Sequence, residues 1–265
     1  MKKFFFESSL PRSGSNLINS ILHQNPDIWT SPISPVFESI CEVGNYLENP
    51  DKFYLYRDDV AIDNIISGVI KNYYEHISRP FIIDRSRTWS ANVPLIKRYI
   101  TDDPKIIVMV REPLDILASY IRKIRQNQNE ISFIDRELLG KDLNCDDWNR
   151  SCNLMNEGGL IFESLKVFSE GFRKYRENLI IVDYNSFVLD PVYQMRRIYN
   201  FLELPYYEHD FFNIENTFDE DSELLGLGNL HSLNPQIISS ETDYKEILSQ
   251  KIINEWGSLN FWKGK

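Results

Sequence analysis

Near its start the chain reads Leu10-Pro11-Arg12-Ser13-Gly14-Ser15-Asn16-Leu17, a Pro/Gly/Ser-rich turn carrying one arginine. An aromatic run, Phe4-Phe5-Phe6, precedes it, and apolar residues recur at helical spacing through Leu22 after it. Strand, tight loop and helix is the arrangement that aims several backbone N–H groups at one point. With Arg12 and the hydroxyls of Ser13 and Ser15 in the loop, the natural guest is a phosphate or a sulfate. The loop is not the common triphosphate loop, because GxxxxGK[ST] is absent and no lysine precedes Ser15.

A second oxyanion station is written in Val110-Arg111-Glu112-Pro113-Leu114-Asp115, which runs on to Ser119 and Lys123. Pro113 suits the first turn of a helix, which puts Arg111 at a strand–helix junction. Ser119 and Lys123 are four residues apart and share a helical face. A guanidinium fork, a hydroxyl and an ammonium group suit one phosphate. The plain alternative is a turn in which Arg111 pairs with Glu112 or Asp115. A third patch, Asp84-Arg85-Ser86-Arg87-Thr88-Trp89, reads either as a cationic loop at a strand end or as a solvated turn with Trp89 in the core.

These segments resemble PAPS-dependent sulfotransferases, in style those of bacteria and the tyrosyl-protein type. Residues 10–17 resemble the family's 5'-phosphosulfate loop, and Arg111 with Ser119 eight residues later resembles its 3'-phosphate motif. The resemblance covers residue 4 to about 235. It implies a P-loop NTP hydrolase-like sulfotransferase fold and in-line transfer of a sulfuryl group from PAPS to an acceptor hydroxyl. Adenosine 3',5'-bisphosphate (PAP) leaves, and no metal is required. It implies that Arg12, Ser13, Gly14, Ser15, Asn16 and Leu17 grip the 5'-phosphosulfate. Arg111 and Ser119 then hold the 3'-phosphate with Lys123 helping, and Tyr184, in Asp183-Tyr184-Asn185, lines the nucleotide pocket. Relatives usually have glutamate where Asn185 stands. Arg85 takes the place of a basic residue near the transferring group, where its charge acts electrostatically.

The general base has two candidates, Glu38 and Asp84. Some relatives place a glutamate about twenty residues after the loop arginine, where this chain has Thr30-Ser31-Pro32-Ile33-Ser34-Pro35 and then Glu38. Glu38 also suits a helix start as a dipole partner, and Asp84 alternatively orients Arg12 or Arg85. Leu230-His231-Ser232-Leu233-Asn234-Pro235 resembles a late motif of bacterial members, with His231 either at the site mouth or structural. Two other functions stand beside sulfuryl transfer. One is a P-loop kinase-like phosphotransferase, disfavoured by the missing lysine and magnesium-binding acids. The other is a non-catalytic PAP- or PAPS-binding protein.

The elements that must position these residues follow from periodicity. Phe81–Asp84, Lys105–Val110 and Asn178–Asp183 are short apolar runs of the kind buried in parallel sheets. Each precedes helical spacing, over about 88–100, 113–127 and 189–203. The alternation predicts a three-layer α/β/α domain with a central parallel sheet. Its functional loops then lie at the strands' C-terminal ends, beside Arg12, Asp84, Arg85, Arg111 and Tyr184. Helices are also expected over 34–48 and 58–76, over 146–176 with breaks or bends at Gly158-Gly159 and Gly171, and over 243–257. Residues 206–241 read as an irregular, aromatic substrate-side segment within one domain, 1–265.

The composition fits an ordinary folded protein, with 42% hydrophobic and 26% charged residues. A net charge of −10 argues against nonspecific nucleic-acid binding but allows a local arginine cluster. Cys41, Cys145 and Cys152 match no zinc spacing, and the histidines, His23, His76, His209 and His231, suggest no metal site. Three cysteines without a framework and the lack of a signal or membrane-spanning run predict a cytoplasmic protein without membrane insertion. The acceptor class stays open among carbohydrate, lipid, small molecule and peptide, as does the oligomeric state.

Overall fold

The computed structural model describes residues 2–49, 51, 58–127, 129–217, 225–228, 232–237, 243–257 and 259–263. Five strands form one parallel sheet in the order β2-β3-β1-β4-β5. They are β1 (Lys3–Glu7), β2 (Ile28–Ile33), β3 (Phe81–Arg85), β4 (Ile106–Val110) and β5 (Leu179–Asp183). Helix α1 (Ser15–His23) follows β1, and α2 (Val36–Leu47) and α3 (Asp59–Tyr73) lie between β2 and β3. A 3₁₀ turn at Trp89–Ala91 and α4 (Val93–Tyr99) lead to β4, which α5 (Pro113–Gln126) follows. Then come α6 (Phe133–Leu139), α7 (Asp147–Met155) and α8 (Leu160–Lys174), β5, α9 (Tyr184–Leu189), α10 (Pro191–Leu202) and α11 (Gln250–Trp256). The predicted layered α/β architecture is present.

Strand alternation explains the two cores. Phe4, Phe6, Ile82, Ile106, Val108 and Val110 point to one face, against α2 to α5 and α8. Phe5, Ile83, Ile107, Met109 and Val182 point to the other, against α1 and α10. Successive residues of a strand face opposite ways, so each strand needs apolar residues at nearly every position. The same alternation sorts the polar residues at the strand ends: Asp84 continues the Phe4/Phe6 face, whereas Glu7, Arg85 and Arg111 continue the other. Central β1 has β3 on one side and β4 on the other, so chain connections diverge at its end. Ligands of open α/β sheets bind in such a crevice.

Strand β2 is not among the strands the sequence predicts, and Ser31-Pro32 interrupts its apolar pattern. As an edge strand, β2 tolerates a proline, and its register with β3 shifts between Thr30 and Ile33. Helix α6 was also not foreseen; it starts at Ser132, whose side chain accepts a bond from the Asp135 amide at 3.0 Å. The long candidate over 146–176 is two helices parted at Gly158-Gly159, with Gly158 at φ 84°. Gly171 does not break the second of them. It lies inside α8, where a β-carbon would stand 2.3 Å from the Ser90 carbonyl oxygen. Gly171→Ala should therefore destabilise the fold by about 1–3 kcal/mol, read as a lower midpoint in chemical denaturation.

Candidate functional site

The β1–α1 loop is locked from below. Leu10 N–H donates to the Met109 carbonyl at 3.0 Å, and Met109 N–H donates to Ser9 Oγ at 2.9 Å. Ser13 Oγ donates toward both Leu10 O (2.6 Å) and Met109 O (3.0 Å). This corrects the expectation for Ser13: its hydroxyl is fully buried and directed at the loop's own carbonyls, which leaves only its backbone for a ligand. Above it the loop turns through two left-handed residues, Arg12 at φ 56° and Gly14 at φ 92°. A side chain at residue 14 would collide with the Tyr184 ring at 2.7 Å. Gly14 starts α1 without a side-chain cap, and no acid stands in the first turn. The N-cap residue thus offers the first amides of α1 no side-chain acceptor, an arrangement that suits an anion.

Loop and sheet edge enclose a cavity of about 280 Å³. Arg12, Gly14, Ser15, Asn16, Leu17, Arg85, Arg111, Ser119, Lys123 and Tyr184 all line it, so most of the sequence candidates meet there. Arg85 is 7% exposed and is held by three acceptors: Glu7 Oε2 at 3.1 Å, Ser15 Oγ at 2.8 Å and Asn16 Oδ1 at 2.7 Å. Arg12 turns the other way, its Nε donating to Ser119 Oγ at 3.2 Å. Arg111 lies 4.6 Å from the Tyr184 ring centre and donates one long bond, 3.4 Å, to the Arg12 carbonyl. Its buried Nε has no hydrogen-bond partner among the described residues. Two cationic stations result, Arg85 at the start of α1 and Arg111 with Arg12, Ser119 and Lys123 beside α5.

The electrostatics reflect that crowding. Arg12 lies below its ordinary value, chiefly because it is buried; neighbouring Tyr120 works the other way, and the Arg111 charge adds to the lowering. Burial and then the Arg12 charge likewise lower Lys123. Arg87 and Arg122 complete a lining in which Glu7 is the one acid among the described residues. Sequence reasoning did not assign Glu7, Arg87 or Arg122. The signals were an acid closing an apolar strand, alternation from Arg85 to Arg87, and helical spacing from Ser119 to Arg122. Ser232, Leu233, Asn234, Gln236 and Ile237 also line the cavity, which places part of the irregular segment at the site; His231 lies outside the described residues. A second cavity of about 410 Å³ shares Arg87 and is walled by Phe133, Leu154, Leu160, Val167, Glu137 and Glu163.

Neither candidate base lines the first cavity. Glu38 is exposed in the first turn of α2, the dipole-partner placement. Asp84 is wholly buried on the opposite face from Arg85. It accepts bonds from Ser34 Oγ (2.6 Å), Tyr74 Oη (2.5 Å) and Trp89 Nε1 (2.7 Å). Burial pushes its carboxyl above the usual range, and those three donors oppose the shift. Its role is to join α2, α3 and the Trp89 turn to β3. Among the described residues no group of His, Cys, Asp and Glu is placed to hold a metal ion, and no helix is long and apolar enough to cross a membrane.

A family model described as "Sulfotransferase family" matches residues 5–208. Among solved structures, retinol dehydratase in complex with androsterone and inactive cofactor PAP aligns with a TM-score of 0.55 and 13% identity. That alignment covers 97% of this chain and 79% of the other. Mouse sulfotransferase SULT7A1 complexed with PAP aligns with a TM-score of 0.52 and 15% identity, covering 97% and 82%. At such identities the likeness establishes the shared fold. No curated protein matches by sequence. Asp84→Asn should lower stability by about 2–3 kcal/mol in thermal or chemical denaturation, because an amide cannot accept all three bonds. Anion binding by the folded variant should stay unchanged.

Proposed function

Because the chain belongs to the sulfotransferase family, whose reaction is sulfuryl transfer, we propose that its donor is PAPS and its acceptor a hydroxyl compound. The observation that carries this reading is the pair of cationic stations within one cavity, Arg85 at the α1 amides and Arg111 beside Ser119. A nucleotide with anionic groups on two separate positions of one ribose needs two such stations. In this reading the amides of residues 13–17, with Ser15, Asn16 and Arg85, take the 5'-phosphosulfate. Arg111, Ser119 and Lys123 take the 3'-phosphate, and Tyr184 packs beside the nucleoside. Arg12, directed toward Ser119, stands between the two groups and serves both.

The chemical step forms a bond from the acceptor oxygen to sulfur as the bond from sulfur to the bridging phosphate oxygen breaks. PAP departs with that electron pair, and the acceptor's hydroxyl proton passes to solvent water. Arg85 and the α1 amides oppose the charge that gathers on the leaving phosphate, as preorganised donors do. Glu7 holds Arg85 in that position through Oε2. Arg87, common to both cavities, supports reading the second cavity as the side from which the acceptor comes. A cytoplasmic setting, where the free Cys41, Cys145 and Cys152 remain reduced, and a single domain belong to the same reading.

Calorimetric titration with PAP, AMP and ADP tests it. PAP should bind at least about tenfold tighter than AMP or ADP, and Arg111→Ala should remove that preference, since charge-assisted bonds contribute ~1.5–3 kcal/mol. Equal affinity for all three by folded protein would overturn the 3'-phosphate assignment. PAPS should then support turnover in an acceptor screen.

A further inference from the structure

Arg111 begins a segment rich in acid: Glu112 is its neighbour, and Asp115 lies one helical turn on. Pairing with either would neutralise the guanidinium before an anion reached it. The structure shows neither contact pair, although Asp115 is near enough to feel the Arg111 charge. Among the described residues Arg111 makes no ion pair, and its hydrogen-bonding capacity is largely unused. Glu112 is engaged elsewhere. Its Oε2 accepts from Asn260 Nδ2 at 2.8 Å and from Lys263 Nζ at 2.9 Å, although these partners lie 148 and 151 residues away.

The segment that supplies them, 259–263, is pinned by aromatic packing. Phe261 lies 5.2 Å from Phe168 and 5.8 Å from Phe172 of α8, ring centre to ring centre. Trp262 is buried at 5.5 Å from Phe168. Asn260 and Lys263 flank these two rings and converge on one carboxylate oxygen. Lys263 also stands among other acids. Partial burial works to lower its affinity for protons, but Glu112, with Asp183 and Asp115 behind it, outweighs that and raises it.

We propose that Asn260 and Lys263 are positioning residues of the nucleotide site, which hold and neutralise Glu112 so that Arg111 keeps its charge for a 3'-phosphate. The inference rests on the PAP reading above. Without Lys263, Glu112, Asp115 and Asp183 bear uncompensated on Arg111, the guanidinium nearest to them at the 3'-phosphate station. Affinity for that group falls, while affinity for the 5' end, held at α1, does not.

The test is calorimetric titration of PAP and AMP at low salt, with folding of each variant checked by circular dichroism. Lys263→Gln should weaken PAP about three- to tenfold and AMP by less than about twofold. Lys263→Arg should behave as the parent, and adding Glu112→Gln to Lys263→Gln should restore PAP binding. Glu112→Gln alone gives an arm that leaves the aromatic anchor untouched, and it should bind PAP as tightly as the parent or more so.

Equal weakening of PAP and AMP by Lys263→Gln would make the segment a structural prop and overturn the proposal. So would an indifferent Lys263→Gln, or weaker PAP binding by Glu112→Gln. If the unaltered protein failed to prefer PAP over AMP, the nucleotide reading would fall first and this inference with it. That failure is recognisable because it appears before any variant is made.

Discussion

Gathering several cations of like sign at one edge of a sheet is the constraint from which the rest of the site follows. Arg12, Arg85, Arg87, Arg111, Arg122 and Lys123 surround one cavity. Repulsion and loss of water both oppose that, as the lowered Arg12 and Lys123 show. Pairing every cation with a carboxylate would relieve the strain and abolish the anion site. Among the described residues, Arg12, Arg85 and Arg111 instead meet hydroxyls, an amide oxygen, a backbone carbonyl and an aromatic face. Glu7, set opposite Arg85 by strand register, is the one acid among the described residues of the lining. An acidic protein of net charge −10 can in this way keep a locally positive crevice.

Strand parity does much of the sorting. Asp84 and Arg85 are neighbours in sequence, yet the pleat turns one into the α2–α3 side of the sheet and the other into the cavity. Asp84 ties three segments to the sheet from behind, and Arg85 works on the opposite face. The two roles share a strand end, so what braces the loop's surroundings is built next to what meets the ligand. Met109 shows the same economy: its amide and carbonyl both fix the β1–α1 loop, and its side chain fills the core beneath.

Where the sequence was legible, the reason was periodicity joined to unusual residues at element ends. Four apolar strands, the helices after them, and the loops carrying Arg12, Arg85 and Arg111 could all be read because strand ends of a parallel sheet share one side. Strand β2 could not, since Ser31-Pro32 interrupts its apolar pattern and only its edge position accommodates the proline. The base candidates failed for a different reason. Glu38 and Asp84 have the right chemistry and lie near the right sheet edge in sequence. Whether a carboxylate faces ligand or core depends on one residue of register, and on donors as distant as Tyr74 and Trp89. Glu112 was open to misreading likewise, as its partners Asn260 and Lys263 come from the far end of the numbering.

Arg12 combines a charged side chain with a left-handed backbone that favours glycine. Holding a residue with a β-carbon there costs about 1–2 kcal/mol. Glycine at this position would relax the turn and erase the guanidinium that reaches Ser119. The loop therefore sits away from its own stability optimum, and substitutions selected for thermal resilience alone would drift toward silencing the site.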